Sequence, residues 1–479
     1  MKNELRSQLA ALLSGDDPAF RRRAAEELAE TSGFAPIAAL AAALRDENKG
    51  VRDSALRSLS KIGNDNVARA AVEYIADENI VTRNLAAELL MRLKDHSIGA
   101  LLPYLYDVDQ DVRKFAVDLL GLIGNEETVD HIIPLLDDAD ENVVVSAAEA
   151  LGNIRSPRAL PHLIRVFKLH GYAQVIVSEA LGKIGDASAG EFLLKYLSAM
   201  ISNPDSDRLV IYSLVDALGL IGGESAIVVI RQNINSVTGN LRYLLLHTII
   251  RILERHNRPL GELEEFRFEL MEALRIENPA VQLSAVKALG AMSGREISTA
   301  LLGAVGISDE INVILIPMLE HRDGIFRIIA EMAEAKQLRA SKEIIGLLGT
   351  IASNVNYSTI NDESVSDYAS LLQAGFEFAA SNWNEGSEEI RAAIVETMLR
   401  LDGDRAFEYL ATVTEEPDPW LRIHVIELVA QLENIGIPNF IARFLSDDDE
   451  MVRETAASTL ESKGYPGNTG SSLNLVELS

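Results

Sequence analysis

Apolar and polar positions along this chain recur with the period of a helix, and the same pattern is written many times over. In DVRKFAVDLLGLIG (111–124), Val112, Ala116, Leu120 and Ile123 stand at positions zero, four, eight and eleven, one stripe of a helix. NVVVSAAEALGNIR (142–155) repeats the register, with Val143 as position zero. Gly121, at plus nine, predicts that a neighbouring helix approaches closely. Gly124, at plus twelve, is where a helix C-terminal glycine belongs.

The register returns from Phe20, Val51, Val81, Ala173, Val210, Leu241, Val281, Ile390, Leu421 and Val452, and in weaker form from Ile311 and Ala340. With Val112 and Val143 that makes fourteen units, most of them 30 or 31 residues apart. A shorter apolar helix precedes each strong anchor, as in TVDHIIPLLDD (128–138) and NFIARFLSDDD (439–449). Neither helix of such a pair buries its stripe alone, so the units must stack. The predicted fold is all-α, an α-solenoid of about fourteen helical hairpins.

Departures from the period divide the array. Regular repeats are expected over 1–295, divergent repeats with an inserted loop over 296–386, regular repeats again over 387–464 and a tail over 465–479. The step from Ala340 to Ile390 is 50 residues and contains the Ser/Asn-rich stretch SNVNYSTINDESVSD (353–367), read as a loop. Longer steps near 200–207 and 256–263 indicate short insertions.

The residues resemble the HEAT-repeat family in its short variety, also seen in phycobilisome-lyase-like proteins. The resemblance is carried by Asp46 with Val51-Arg52, Asp107 with Val112-Arg113 and Asp447 with Val452-Arg453. The ALG-x-I endings at 150–154, 180–184 and 217–221 add to it. It implies stacked hairpins whose second helices line an inner surface, with the Asp and Arg forming an inter-repeat ladder. It also implies a non-enzymatic scaffold or adaptor for protein partners, in a bacterial signalling or assembly complex. The alternative it implies is a bilin lyase or chaperone-like protein.

Composition narrows the chemistry. Against 72 Asp and Glu stand 44 Lys and Arg, a net charge of −28, which repels a phosphate backbone. The densest basic cluster, Arg21-Arg22-Arg23, is followed by Glu26 and Glu27 and reads as a solvated helix face. No nucleic-acid partner is expected; a basic protein segment is. Cysteine is absent, which excludes disulfides, zinc–thiolate sites and thiol nucleophiles. The start, MKNELRSQLAALLSG, is amphipathic with Glu4 inside it, and no apolar run approaches a membrane span. A cytoplasmic location is the expectation.

Catalytic signatures are lacking, so no enzyme activity and no cofactor or metal are expected. Deoxyhypusine hydroxylases resemble the chain in repeat architecture but bind iron through His-Glu dipeptides, and none of the eight histidines precedes a Glu. His131 and His162 occupy equivalent helices of adjacent units and read as surface residues. GLIGGES (219–225) is a repeat ending with one extra glycine rather than a phosphate loop. HEAT-like DNA glycosylases use a basic, aromatic groove, which the acidic balance opposes; Trp420 is expected to plug a repeat junction.

One surface column is patterned. Position plus six faces away from the apolar stripe and reads Glu26, Arg57, Ala87, then Asp118, Glu149, Glu179 and Asp216. Those last four carboxylates, one per successive unit, are the candidate partner-binding row, placed to meet an extended basic segment or a basic helix.

Overall fold

The computed structural model describes residues 15–29, 34–201, 203, 205–338, 340–354, 362–384, 387–415, 418–432 and 436–464. The described residues form α-helices joined by turns and short 3₁₀ segments, with no strand among them. The N-terminal stretch 1–14 and the tail 465–479 lie outside the described residues.

The chain divides into two compact units, Met1–Arg258 and Pro259–Ser479. In the first, eight second helices stack in order: Pro18–Leu28, Lys49–Ile62, Ile80–Leu93, Gln110–Ile123, Glu141–Ile154, Gln174–Ile184, Arg208–Ile221 and Asn240–Arg255. In the second, six stack: Pro279–Gly290, Asp309–Glu320, Lys342–Asn354, Glu388–Leu401, Pro419–Ala430 and Glu450–Ser462. Eight and six make the fourteen units that the stripe predicts, and the all-α solenoid stands.

Most second helices start on a side-chain cap; Gln174–Ile184 and Asn240–Arg255 do not. An Asn or Asp cap accepts from the backbone N–H two or three positions on: Asn48 from Gly50 and Val51, Asp140 from Asn142 and Val143. Such a cap is worth about 1 kcal/mol. At the other end Gly124 takes a left-handed conformation, φ 75°, and ends its helix as expected. The first helices are short where proline intervenes. Val129–Ile132 passes at Pro134 into a 3₁₀ turn over Ile133–Asp137.

The capping residues correct the sequence register at one unit. Val81 is 46% exposed, whereas Thr82 is 1% exposed and holds the buried anchor position. Asn79 is the cap there, and its side chain accepts from the Val81 N–H. Every anchor follows its cap by three residues in the neighbouring units, so zero falls on Thr82, with Ala86, Leu90 and Leu93 below it, all buried.

Two further expectations change. Trp420 is 66% exposed and plugs nothing; Trp383 is the buried tryptophan. The residue just before an anchor points off the stripe, and Leu209 and Met451 are exposed at that same place. The stretch 353–367 is not a continuous loop, because helices run to Asn354 and from Asp362 to Ser381. The second of these anchors itself through Ala374, Phe376, Phe378 and Ala379, all buried. The remaining residues, 355–361, lie outside the described ones. The long step therefore lengthens a first helix, and Lys342–Asn354 still packs directly on Glu388–Leu401.

Candidate functional site

Packing decides which residues of a second helix meet solvent. In Glu141–Ile154, Val143, Val144, Ser146, Ala147, Ala148, Ala150, Leu151 and Gly152 are all buried. Past the first turn, and apart from half-buried Ile154 at the helix end, that leaves Val145, Glu149 and Asn153, at plus two, plus six and plus ten, as one open face. Three rows of side chains, one residue of each per unit, therefore make up the surface presented by the second-helix layer.

That layer is the tighter side of the stack. A Cβ built on Gly121 would stand 2.6 Å from the Ala150 Cα, and one on Gly152 would stand 2.7 Å from the Ala180 Cα. Backbones meet at both places, as the glycine at plus nine predicts. On the first-helix side, Phe167, Phe192 and Tyr196 pack with ring centroids 4.9–5.3 Å apart. The second helices are the layer that the HEAT-repeat resemblance places on the inner face.

The turns on the rim carry the ladder. Arg113 donates to the carbonyl oxygen of Asp107 at 2.8 Å and forks onto Asp138 of the next unit at 2.7 and 2.9 Å. Arg21 treats Asp46 the same way, at 2.7 and 2.9 Å, and Arg422 meets Asp447 at 3.0 Å. Each Asp also accepts from the N–H of the cap two residues on, as Asp138 does from Asp140. These pairs are largely buried and serve the stack; they are not free to bind a ligand.

The GLIGGES stretch is likewise structural. Its carbonyl oxygens converge on the Arg255 guanidinium, from Gly219 at 2.9 Å and from Leu220 and Gly222. A phosphate cradle presents N–H groups, and here the oxygens face a cation instead. Burial holds the Arg255 pKa below its ordinary value.

The acidic row occupies plus six. Asp118 is half-buried and accepts from Lys114 Nζ at 2.8 Å, one turn back on its own helix. Asp216 accepts from Arg251 of the next unit at 2.6 Å. Glu149 and Glu179, between them, are exposed and have no ion-pair partner among the described residues. The register correction adds one carboxylate that the sequence reading missed. With Thr82 as anchor, the plus-six residue of that unit is Glu88, not Ala87, and Glu88 pairs with Arg92 at 2.5 Å. The signal for it lay in Asp77-x-Asn79, which repeats Asp46-x-Asn48 and fixes the anchor five residues after the Asp. Five successive units thus carry a carboxylate at this place, and within that run Glu149 and Glu179 are the two without an ion-pair partner among the described residues.

Among the described residues no group of three or more His, Asp or Glu is placed to hold a metal ion, and no helix is long and apolar enough to cross a membrane.

Comparison with family models agrees with this architecture. Residues 6–91 and 98–175 match the family model for HEAT repeats. No curated protein matches the sequence. Among solved structures, yeast importin-β (Kap95p) is 13% identical over 97% of this chain and 74% of its own, with a TM-score of 0.46. The complex of CpcE and CpcF of phycocyanin lyase from Nostoc sp. is 21% identical, over 52% of this chain and 94% of that one, with a TM-score of 0.24.

Proposed function

Because residues 6–91 and 98–175 match the family of HEAT repeats and the described helices stack as an α-solenoid, we propose that the chain works as a non-enzymatic interaction scaffold whose inner acidic face receives a basic segment of a protein partner. One observation carries the reading. Glu149 and Glu179 stand exposed in adjacent units without an ion-pair partner among the described residues, while Glu88, Asp118 and Asp216 on either side are paired. Two neighbouring carboxylates repel each other, and a Lys or Arg from outside relieves that while the net charge of −28 steers it in. The paired members of the row then frame the site rather than bind. The distinction matters for testing, since replacing Asp118 or Asp216 also breaks an internal contact.

The test is a pull-down from source-cell lysate with the native chain and with Glu149→Lys/Glu179→Lys, after circular dichroism has shown equal helicity. The native chain should retain basic proteins at about 0.1 M NaCl and release them at about 0.5 M, where screening shortens the reach of the charges. The variant should retain none of them. Identical sets captured by both proteins would make the row a solvated face and end this reading.

A further inference from the structure

The row beside the carboxylates narrows the partner. Plus two and plus six lie one turn apart on the same helix, the spacing of a favourable ion pair. In the units anchored at Phe20 and Val112 that pair is made: Arg22 meets Glu26 at 3.6 Å, and Lys114 meets Asp118 at 2.8 Å. In the next two units the place of Lys114 is taken by Val145 and Val175, both half-buried, and then by Tyr212. A change at plus two therefore does two things. It removes the plus-two cation that would pair with Glu149 or Glu179, and it sets an apolar side chain where the earlier units hold Arg22, Asp53, Asn84 and Lys114. At plus ten the same two units hold Asn153 and Lys183, and Lys183 donates to Asn153 Oδ1 at 2.9 Å rather than pairing with Glu179.

Neither change serves the stack. Position plus two points away from the buried stripe, so a valine there keeps apolar surface half in water without deepening the core. Contiguous apolar surface edged by charge is what a binding face presents. Leu220, 42% exposed at plus ten, adds apolar surface in the unit of Tyr212, while the plus-ten places beside Glu149 and Glu179 hold Asn153 and Lys183.

We infer that the face made by Val145, Val175, Tyr212, Glu149 and Glu179 takes a partner segment that is both basic and apolar, with Lys or Arg set among aliphatic or aromatic residues, rather than a uniformly basic tail. The inference rests on the reading that this face binds protein, and it specifies the chemistry of what is bound. Stacked helices lie about 8–10 Å apart, so the three units from Val145 to Tyr212 offer roughly 20 Å, which about six residues span in extended form. Lys or Arg side chains meet the two glutamates while their apolar neighbours lie over the valines and the tyrosine.

Three labelled peptides of about ten residues test this against the full chain by fluorescence anisotropy. One sets Lys among Leu, one sets the same Lys among Ser, and one sets Glu among Leu. The Lys/Leu peptide should bind about tenfold tighter than the Lys/Ser peptide, the scale of one apolar side chain buried. The Glu/Leu peptide should not bind. Val145→Ser/Val175→Ser should remove that tenfold advantage and leave the Lys/Ser peptide unaffected; Glu149→Gln/Glu179→Gln should weaken both Lys peptides. Unchanged melting temperatures would show that the variants fold. Equal affinity for the two Lys peptides would overturn this inference and leave the basic-segment reading standing. Failure of every peptide to bind would overturn both.

Discussion

Residues 16–110 and residues 140–222 are built from the same repeat, yet they hold their neighbours in different ways. The earlier units are tied at the rim by charge: Arg21 to Asp46, Arg45 to Asp77. At plus nine they carry Ala29, Ser60 and Met91, and no glycine. The later units lack the rim arginine, with Val144, Gln174 and Ile211 in its place, and close at plus nine through Gly152 and Gly182, where the next helix enters. The unit anchored at Val112 has both devices, Arg113 on Asp138 and Gly121 under Ala150. The inner face changes at the same boundary, from internally paired charge to valines beside unpaired glutamates. A unit held through its backbone seam does not depend on rim charges, and its second helix is free to present other residues.

The largest effect expected from breaking this division is at the shared unit. Arg113→Ala leaves Asp138 largely buried without its partner, which should cost about 3 kcal/mol, the scale for truncating one member of a buried pair. Arg92→Ala, at an exposed pair on the inner face, should cost under about 1 kcal/mol. Denaturant unfolding of the two variants measures the contrast. Equal losses would mean that the ladder contributes no more than surface charge.

The seam should be the next most sensitive. Gly121→Ala puts a Cβ 2.6 Å from both the Cα and the Cβ of Ala150, so the helices must separate. Overpacking of this kind costs about 1–3 kcal/mol, less about 1 kcal/mol returned by the better helix propensity of alanine. Met91→Ala at the equivalent place in an earlier unit should change stability by about 0.5 kcal/mol or less, because Met91 is exposed. If Gly121→Ala were neutral, close approach would not be what joins the later units.

The stripe was legible in sequence because its buried positions recur in fourteen copies. It misled at one unit, where Val81 looks like a better anchor than Thr82. The cap decides the register there, and Asn79 places it one residue later than hydrophobicity does. Four carboxylates of the inner row were readable from spacing; Glu88 was hidden by that slip. Which of them are free was only half readable. The Lys114–Asp118 pair lies within one helix and follows from i,i+4 spacing. The Arg251–Asp216 pair joins residues 35 apart and depends on how far one unit slides along the next, which no single helix encodes. The exposure of Trp420 depends likewise on its place just outside the stripe rather than on its size or hydrophobicity.

Acid should separate the two regions most gently. Asp138 is held below the ordinary carboxylate range chiefly by the Arg113 guanidinium. At Asp46 and Asp77 burial alone would push the carboxyl up. The bonds from Arg21 and the Asn48 N–H, and from the Asn79 N–H and Arg45, more than reverse it. A carboxylate with a depressed folded-state pKa contributes its full stabilisation above the unfolded value, near 3.9, and loses it as pH falls through the folded value. The Gly–Ala seam contains no titratable group. Between about pH 5 and pH 3, amide protection around 46–54, 77–85 and 138–146 should fall more than around 147–152 and 177–182, once intrinsic exchange rates are divided out. The effect is the smallest of the three because protonation weakens each rim contact without removing the side chain that fills the turn. Protection lost evenly across both regions would show that rim and seam unfold as one cooperative unit, and the division between them would then be one of contacts but not of stability.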